Sequence, residues 1–483
     1  MWTPTLRPDG PRYLALADRI QADVESGRLR AGAQLPPQRA LAASLGVDFT
    51  TVTRAYAEAR RRGLVRGHVG RGTFVRERTA RERTGRERVA RGASARTPQE
   101  LVGQSAAPDG PVDLSLNFPP LAVLADAEAM LARTLAELPE TPGFAGLLQY
   151  QPNAGRDDHR AAGASWIARR GLAAPAAQVV VTSGAQHALA VLLTTLAARG
   201  DTVLTESFTY PVFRVLADQL GLRLRGLPMD DEGITPDGLR DACLTAGRAG
   251  APRLLYCTPT LQNPTTAVMS AARRAAIADV ARAHDLTIVE DDTYGPLAHD
   301  APPALATWAP ERTYFVASLS KTVAPGLRTA FLAAPNATAA ARLAAGIRAT
   351  AWMATPLTAE VAASWIRDGT ALRLLEANRA EAAVRQRIAA RCLTGLDWRA
   401  HPEAYHGWLA LPPAWSVAEL VVQLGRDGIV VTPGESFHVG DGPAPTAIRL
   451  SLSGAPSTAA LERALGRVAA TLGAGPGIGA SVI

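Results

Sequence analysis

The chain has 483 residues, of which 47% are hydrophobic and 20% are charged, values typical of a folded globular protein with two or three domains. The longest apolar run, at residues 188–198, is too short to cross a bilayer, and the N-terminus lacks an apolar signal core, so we expect a cytoplasmic protein. The 3 cysteines are far apart in sequence, which excludes a CxxC metal site and disfavours a disulfide framework, so no metal ion is expected.

The net charge of +7 is unevenly distributed along the chain. Residues 1–100 contain 20 arginines and 10 acidic residues, a net of +10, which leaves 31 basic and 34 acidic residues, a net of −3, in the remainder. This asymmetry favours an N-terminal segment that faces a polyanion. A solvated basic tail would show the same charge, so the predicted elements of this region must decide between the two.

Three helices are predicted in the first part of the chain, over residues 13–26, 36–46 and 49–63. Gly27 follows the first helix and Gly46 closes the second, and glycine is the residue that most often ends a helix. In the third helix, Val52, Ala55 and Tyr56 lie on one apolar face. This order predicts a helix–turn–helix whose second helix enters the major groove of DNA.

A two-stranded wing is predicted directly after the helices, over residues 64–75, with turns at Gly67, Gly70 and Gly72. The helices and the wing together closely resemble the winged helix–turn–helix of GntR-family repressors. The residues that carry this resemblance are Gly32, Leu35, Pro36, Arg39, Leu41, Ala42, Gly46, Val47, Thr51, Val52, Ala55, Tyr56, Gly63 and residues 70–75.

DNA contacts follow from the resemblance to the GntR family. The implied contact residues are Arg39, Thr50, Thr51, Arg54 and Arg71. The family usually has an arginine at the start of the recognition helix, whereas this chain has Phe49 there. A phenylalanine at that position can contact a thymine methyl group, which would change the base that is read.

A basic linker and then an α/β region are predicted after the wing. Residues 76–112 are rich in charged and small residues and poor in apolar ones, as linkers are. From residue 113 to residue 483, short apolar runs alternate with helical patterns, which predicts a parallel-rich α/β sheet in a large part at about 140–350, followed by a small part at about 360–483. The predicted strands cover residues 179–183, 202–206, 254–258, 286–291 and 313–318. Ligands of such sheets bind at the carboxyl ends of the strands.

Lys321 follows the last of these strands and is the single lysine in the chain, since the other 50 of the 51 basic residues are arginines. Lysine can lose its proton and form a Schiff base, which arginine cannot do. From composition alone, retention of a single lysine by chance is as good an explanation as a covalent role. The surrounding residues favour a covalent role, because Ser318, Ser320 and Arg328 can hold a phosphate beside it.

Further groups suited to a phosphorylated aromatic aldehyde lie after the other strands. Behind Gly184, the N–H groups of Ala185 and Gln186 begin a helix and can bind an anion. A pyridine nitrogen needs a carboxylate, a phenolic oxygen needs hydrogen-bond donors, and a flat ring needs an aromatic neighbour. Those roles are matched by Asp291, by Asn263 and Tyr294, and by Tyr210, in that order.

These motifs, over roughly residues 113–470, resemble the fold-type I aminotransferases that use pyridoxal 5′-phosphate. The resemblance implies that Lys321 and Asp291 are the catalytic pair, with Lys321 as the Schiff-base lysine. It implies that Arg449 pairs with a substrate carboxylate, and that Tyr150 reaches the phosphate of a neighbouring subunit in a homodimer. Ala185 stands where related enzymes often have a hydroxyl residue.

A GntR-type winged helix joined to an aminotransferase-like domain is the architecture of MocR/GabR-type regulators, which this chain resembles. The resemblance implies a regulator that binds promoter DNA as a dimer, with a domain-swapped arrangement, and senses an amino acid or amine by forming an external aldimine with the cofactor. A working aminotransferase acting on an amino acid is the main alternative. A DNA-binding protein with an inactive second domain is the third reading, which the presence of Lys321 and Asp291 disfavours.

Overall fold

A computed structural model describes residues 2, 4, 12–25, 28–29, 33–61, 64–68, 72–75, 110–245, 253–440 and 442–476. The chain forms two compact units, Met1–Glu100 and Leu101–Ile483. The helices of the first unit are α1 (Arg12–Glu25), α2 (Gln38–Leu45) and α3 (Phe49–Arg61), and its strands are β1 (Val65–His68) and β2 (Gly72–Val75).

The first unit has its own small core, formed by one face of each helix and by the hairpin. Leu16, Val52 and Tyr56 are almost fully buried, and the Tyr56 hydroxyl donates a hydrogen bond of 2.8 Å to the Pro36 carbonyl. Gly46 ends α2 in the left-handed conformation, at φ 60°, which favours glycine. The described parts of this unit therefore form the predicted helix–turn–helix and wing.

The wing differs from its prediction in where its glycines lie. Gly67 belongs to β1 and pairs with Thr73, and Gly72 begins β2 and pairs with His68, so neither residue forms the turn. The prediction that these two glycines supply turns is wrong, because antiparallel pairing extends to both of them. Gly70 lies outside the described residues, as does most of the predicted linker, although its last residue, Val112, begins a strand.

A seven-stranded sheet forms the centre of the second unit. Its strands are β4 (Val179–Thr182), β5 (Thr202–Glu206), β6 (Arg223–Leu227), β9 (Leu254–Cys257), β10 (Thr287–Asp291), β11 (Thr313–Ser318) and β12 (Ala330–Ala333). Their order in the sheet is β4-β12-β11-β10-β9-β5-β6, and β12 is antiparallel to both of its neighbours. All other pairings in this sheet are parallel, so the carboxyl ends of the remaining strands share one edge.

Helices cover both faces of this sheet, because residues that alternate along the strands belong to different apolar clusters. Val180 and Leu332 pack with the helices of one face, whereas Val181 and Phe331 pack with those of the other. The helices of the large part are α4 (Leu121–Glu137), α5 (Asp157–Ala168), α6 (Ala185–Leu196), α7 (Pro211–Gln219), α8 (Pro236–Leu244), α9 (Ala271–Ala283), α10 (Ala337–Thr350) and α11 (Pro356–Arg367). Between β6 and α8 lies a short hairpin of β7 (Met229–Asp230) and β8 (Gly233–Ile234).

A smaller antiparallel sheet has its own apolar core. The sheet has the order β13-β14-β17-β16, and β3 pairs separately with β15. The elements of this part are β3 (Val112–Asp113), α12 (Thr370–Cys392), β13 (Trp398–Arg399), β14 (His406–Ala410), α13 (Val417–Arg426), β15 (Ile429–Val430), β16 (Thr432–Pro433), β17 (Ala447–Ser451) and α14 (Thr458–Ala474).

The predicted architecture, a parallel-rich α/β domain with a small α+β part preceded by a winged helix–turn–helix, is confirmed. The five predicted strands are all present, whereas β6 and β12 were not predicted. Among the described residues, no helix is both long enough and apolar enough to cross a membrane.

Candidate functional site

The candidate site lies where the parallel strands of the large sheet end and the small sheet faces them. Asp291 is the last residue of β10, and Lys321 lies three residues beyond the end of β11. Arg449 lies in the middle of β17 in the small sheet. Its guanidinium nevertheless donates a hydrogen bond of 2.9 Å to Oδ1 of Asn263, which lies in the loop after β9. The two parts of this unit therefore build one site.

The amine of Lys321 has a lowered pKa. Burial is the largest cause, and the positive charges of Arg449 and Arg328 add to it, while Asp291 opposes them. The result is a pKa of about 8, so a useful fraction of the amine is neutral near physiological pH. In this structure, Lys321 Nζ donates a hydrogen bond to the Asn117 carbonyl oxygen.

Asp291 is a buried carboxylate held by three donors. The Thr293 N–H and hydroxyl donate to Oδ1 at 3.1 and 2.5 Å, and the Tyr256 hydroxyl donates to Oδ2 at 3.0 Å. Burial raises the pKa of Asp291, whereas these hydrogen bonds and the Lys321 charge lower it. Such a carboxylate can stabilise a buried cationic ring nitrogen.

A cradle for an anion lies between α6 and the segment after β11. Gly184 precedes α6 with φ 87°, and a Cβ added there would lie 2.7 Å from Arg328 Nη2. The free N–H groups at the start of α6, from Ala185 and Gln186, therefore lie next to an exposed guanidinium. Because residue 184 has no side chain, the Arg328 guanidinium can lie close to the start of α6, and this pair of positive groups suits a phosphate.

The two serines predicted to bind phosphate lie close to each other at the end of β11. The Ser318 hydroxyl accepts a hydrogen bond of 3.2 Å from the Ser320 N–H, and both side chains are buried. Arg328, further along the same segment, adopts the left-handed conformation at φ 45°. This turn directs the chain back into β12, beside the start of α6.

Aromatic and amide side chains complete the site. Gln186 donates a hydrogen bond of 3.1 Å to the Tyr210 hydroxyl, and Tyr210 is close enough to Asp291 for that charge to raise its pKa, although burial is the larger cause. Tyr294 is buried with a pKa of about 12, which burial raises most, and it accepts a hydrogen bond of 3.1 Å from Asn117. The predicted ring-binding residues are thus brought together.

Arg449 is buried without a carboxylate partner among the described residues. One of its Nη atoms donates to Asn263, the other donates to the Ser115 carbonyl, and the Phe437 ring lies 5.0 Å from the guanidinium carbon. Its Nε is buried and has no partner in the described part of the chain. Burial is the main cause that lowers its pKa. A buried guanidinium with a free donor favours an incoming carboxylate.

Two residues of the site were not predicted, Asn117 and His406. The His406 Nδ1 lies 2.9 Å from Asn117 Nδ2, and its Nε2 lies 3.3 Å from the Gln262 carbonyl, which fits a neutral ring with its proton on Nε2. Burial, with help from Arg449, lowers the pKa of His406 to about 3. The Asn117 Oδ1 is buried without a partner among the described residues. The signal for His406 was a polar residue at the start of an otherwise apolar strand.

Tyr150 does not join this group in the contacts of the described chain. Its side chain is 80% exposed, and its ring packs against Trp352 with 5.5 Å between centroids. Its predicted role requires a neighbouring subunit and remains a prediction.

The candidate DNA contacts of the first unit are described in part. The Thr50 hydroxyl and N–H both donate to Asp48 Oδ1, and the Thr51 N–H donates to the Asp48 carbonyl, so Asp48 caps α3. Arg54 is exposed and lies 4.6 Å above the Tyr13 ring. Phe49, at the first position of α3, is 43% exposed. The side chain of Arg39 and all of Arg71 lie outside the described residues.

Two families of known proteins match the two units. Residues 112–468 match the family described as aminotransferase class I and II, and residues 12–75 match the bacterial regulatory proteins of the gntR family. The first match covers about three quarters of the chain.

Several similar proteins are named as transcriptional regulators and match most of the chain. The uncharacterized HTH-type transcriptional regulator YdeF of Bacillus subtilis is 29% identical over 468 residues, covering 96% of this chain and 95% of that protein. The vitamin B6 salvage pathway transcriptional repressor PtsJ of Salmonella typhimurium is 27% identical, covering 89% and 92%. In structure, an archaeal alanine:glyoxylate aminotransferase has a TM-score of 0.69 at 22% identity, covering 78% of this chain and 94% of that one, which shows a shared fold.

The lowered pKa of Lys321 predicts an amine that reacts with acylating reagents at unusually low pH. We expect half-maximal reactivity at about pH 8 in the cofactor-free protein, since the neutral amine is the reactive form. In Arg449→Met, the midpoint should move to higher pH, because one neighbouring positive charge is lost. Mass spectrometry of the Lys321 peptide measures the labelled fraction at each pH.

Arg240→Met is the matched control, since Arg240 is exposed on α8 and pairs with Asp237. It should leave the midpoint unchanged. An ordinary lysine midpoint near pH 10.5 in the unmodified protein would contradict the account of this site.

Proposed function

The chain belongs to the class I and II aminotransferase family and joins it to a gntR-family regulatory domain, and we propose that it binds promoter DNA as a homodimer whose affinity changes when an amino acid or amine occupies the Lys321 site. It is a transcriptional regulator with an aminotransferase-like domain, an architecture consistent with the MocR type. One observation carries the sensing part of the proposal. The buried Arg449, which has no carboxylate partner among the described residues, lies beside an amine whose pKa is about 8.

Pyridoxal 5′-phosphate is the cofactor of this family, and the residues of the site fit it. The cradle beside Gly184, where the Arg328 guanidinium lies close to the start of α6, suits the phosphate, with Ala185, Gln186, Ser318, Ser320 and Arg328 around it. Lys321 would hold the aldehyde carbon, and Asp291 would face the ring nitrogen. The remaining ring contacts would come from Asn263, Tyr294 and Tyr210. When bound, this group supplies an aldehyde that links reversibly to amines and a ring that withdraws electrons.

The residues of the chain then divide the work of recognising a ligand. Arg449 orients the ligand by its carboxylate, for which a planar guanidinium is well suited. Lys321 accepts or returns a proton at Nζ, because its pKa of about 8 is close to the working pH. Hydrogen bonds to both oxygens of Asp291 offset part of the rise in its pKa that burial causes, and His406 stays neutral because its pKa is about 3. The site therefore selects an amine that also carries an acid.

A working aminotransferase is the second candidate function. Lys321 has the pKa that a general base needs, and Asp291 is in place beside it, so the observed geometry also suits proton transfer. The regulator is favoured because relatives named as transcriptional regulators match the chain over nearly its whole length. Repeated turnovers with a keto acid acceptor would favour the enzyme instead.

A homodimer is supported by an exposed apolar surface. Leu148, Tyr150 and Trp352 are 76%, 80% and 44% exposed, and Tyr150 packs on Trp352. Clustered exposed aromatic side chains are typical of protein interfaces. We propose that a second copy covers this surface and receives Tyr150, and that residues 76–112 permit a domain-swapped arrangement. Binding to promoter DNA implies a cytoplasmic location.

Attachment of the cofactor to Lys321 can be tested directly. After incubation with pyridoxal 5′-phosphate and reduction with borohydride, mass spectrometry should find the adduct on Lys321. Lys321→Arg should lose the visible absorption band while keeping a positive charge, because arginine forms no imine under these conditions.

Arg367→Lys is the matched control, since it adds a second lysine at a partly exposed position paired with Glu360. That lysine should remain unmodified in the reduced protein. An adduct on the added lysine alone, or an unchanged visible band in Lys321→Arg, would contradict the assignment.

The contribution of the recognition helix, α3, to DNA binding can be tested at Arg54. Arg54→Gln should weaken binding to a duplex selected from random DNA by the full chain, and should lower the salt dependence of binding by about one charge. Fluorescence anisotropy over a salt series measures both quantities.

Arg19→Gln is the control, since Arg19 lies on α1 and pairs with Asp23 at 3.3 Å. It removes the same charge and should leave the salt slope nearly unchanged. Equal effects of the two substitutions would show that net charge, and not α3, determines the affinity.

A further inference from the structure

A five-residue stretch joins the linker to the candidate site, and we call residues 113–117 the lead segment. It begins in β3, which pairs with β15, and the Leu114 N–H donates to the Val430 carbonyl at 2.7 Å. The Leu114 carbonyl accepts in turn from the Ser451 N–H at 2.7 Å. The lead segment therefore lies against the small sheet and is continuous in sequence with the predicted linker to the DNA-binding unit.

Three consecutive carbonyls of the lead segment accept hydrogen bonds from side chains. The Ser115 carbonyl accepts from Arg449 Nη2 and from the Thr432 hydroxyl, the latter at 2.9 Å. The Leu116 carbonyl accepts from the Ser451 hydroxyl at 2.7 Å. The Asn117 carbonyl accepts from Lys321 Nζ. The two cations of the site thus hold the two ends of this short stretch, and Ser451 holds its middle.

The side chain of Asn117 adds a second connection to the site. Its Nδ2 donates to the Tyr294 hydroxyl at 3.1 Å and lies 2.9 Å from His406 Nδ1. Its Oδ1 is buried without a partner among the described residues. A change at Tyr294 or Lys321 therefore reaches the lead segment through direct contacts.

The same two cations are those to which the proposed function assigns the ligand and the cofactor. A carboxylate is a stronger acceptor for a guanidinium than a carbonyl oxygen is, so a ligand carboxylate competes with Ser115 for Arg449. The cofactor competes with the Asn117 carbonyl for Lys321, because both use Nζ. A ligand that takes the place of Lys321 on the cofactor leaves that amine available to Asn117.

We propose that the lead segment transmits the occupancy of the site to the linker. Ligand binding removes the hydrogen bond from Arg449 to the Ser115 carbonyl and restores the hydrogen bond from Lys321 to the Asn117 carbonyl. This inference rests on the proposed function and adds the physical route of the signal. The Ser451 hydroxyl serves as the fixed point between the two carbonyls. The two arrangements differ in their affinity for the ligand, which is the condition for coupling to DNA binding.

Hydrogen exchange of the full chain tests the route directly. The probe is N-(5′-phosphopyridoxyl)glycine, which has the ring, the phosphate and a carboxylate but no side chain to be rejected. Relative to the protein loaded with pyridoxal 5′-phosphate, this probe should change amide exchange in the peptide covering residues 112–117 by about fivefold or more. Pyridoxamine 5′-phosphate, which lacks the carboxylate, should produce a smaller change.

Ser451→Ala tests the fixed point without altering any residue assigned to the cofactor or the ligand. The ratio of DNA affinities with and without the probe should fall about fivefold, the value expected for the loss of one ordinary hydrogen bond. Thr313→Val is the matched control, since its buried hydroxyl donates to the Ala309 carbonyl at 2.7 Å in the large sheet. That variant should keep the full ratio.

Three outcomes decide the inference. Altered exchange at residues 112–117 together with a reduced ratio in Ser451→Ala supports it. Unchanged exchange there while the probe binds, or equal ratios in Ser451→Ala and Thr313→Val, overturns the route but leaves the proposed function intact. A wild-type protein whose DNA affinity does not respond to the bound probe overturns the proposed function and the inference with it. The exchange measurement on the wild type decides the route even if Ser451→Ala does not fold.

Discussion

Two cations, the half-buried Lys321 and the buried Arg449, share one site, and most of the chemistry depends on that arrangement. Each disfavours the charge of its neighbour, and burial disfavours both, so the pKa of Lys321 falls to about 8. Asp291 offsets part of this repulsion, and the charge of Asp113 favours the Arg449 cation, but no carboxylate forms an ion pair with Arg449 in the described part of the chain. Backbone carbonyls of the lead segment and the amide oxygen of Asn263 take the place of anions. An anionic ligand would reduce the repulsion between these two cations, and so would a reaction that converts the lysine ammonium to a neutral amine.

The fold makes this arrangement possible by joining two sheets of different construction. The large parallel sheet places loops with Asp291, Asn263 and Lys321 along one edge, as parallel strands do. The small antiparallel sheet supplies Arg449 and His406 from neighbouring strands, which pair directly. β3, which begins at the last residue of the predicted linker, pairs with β15 in a separate two-stranded sheet, and the Leu114 carbonyl directly after it accepts from the Ser451 N–H in β17. The segment that leaves the linker is therefore hydrogen-bonded to β17, the strand that carries Arg449.

Much of the fold and of the site could be predicted from sequence, because the informative residues follow strands. Lys321, Asp291 and Tyr294 lie directly after apolar runs, and a short run ended by polar residues is a strong local signal. The antiparallel strand β12 was not predicted, since its four residues lie close behind the Lys321 loop and show no turn of their own. Asn117 and His406 were missed because their roles depend on contacts 289 residues apart in the chain. The turns of the wing were misplaced because pairing includes Gly67 and Gly72.

We propose that the site and the DNA-binding unit are energetically coupled, and coupling between two binding sites must be reciprocal. The most direct test is to measure the affinity of the full chain for N-(5′-phosphopyridoxyl)glycine with and without saturating DNA, and compare it with the effect of this compound on DNA affinity. We expect both affinities to change by the same factor, about fivefold or more. Identical affinity for the compound in the presence and absence of DNA would contradict it.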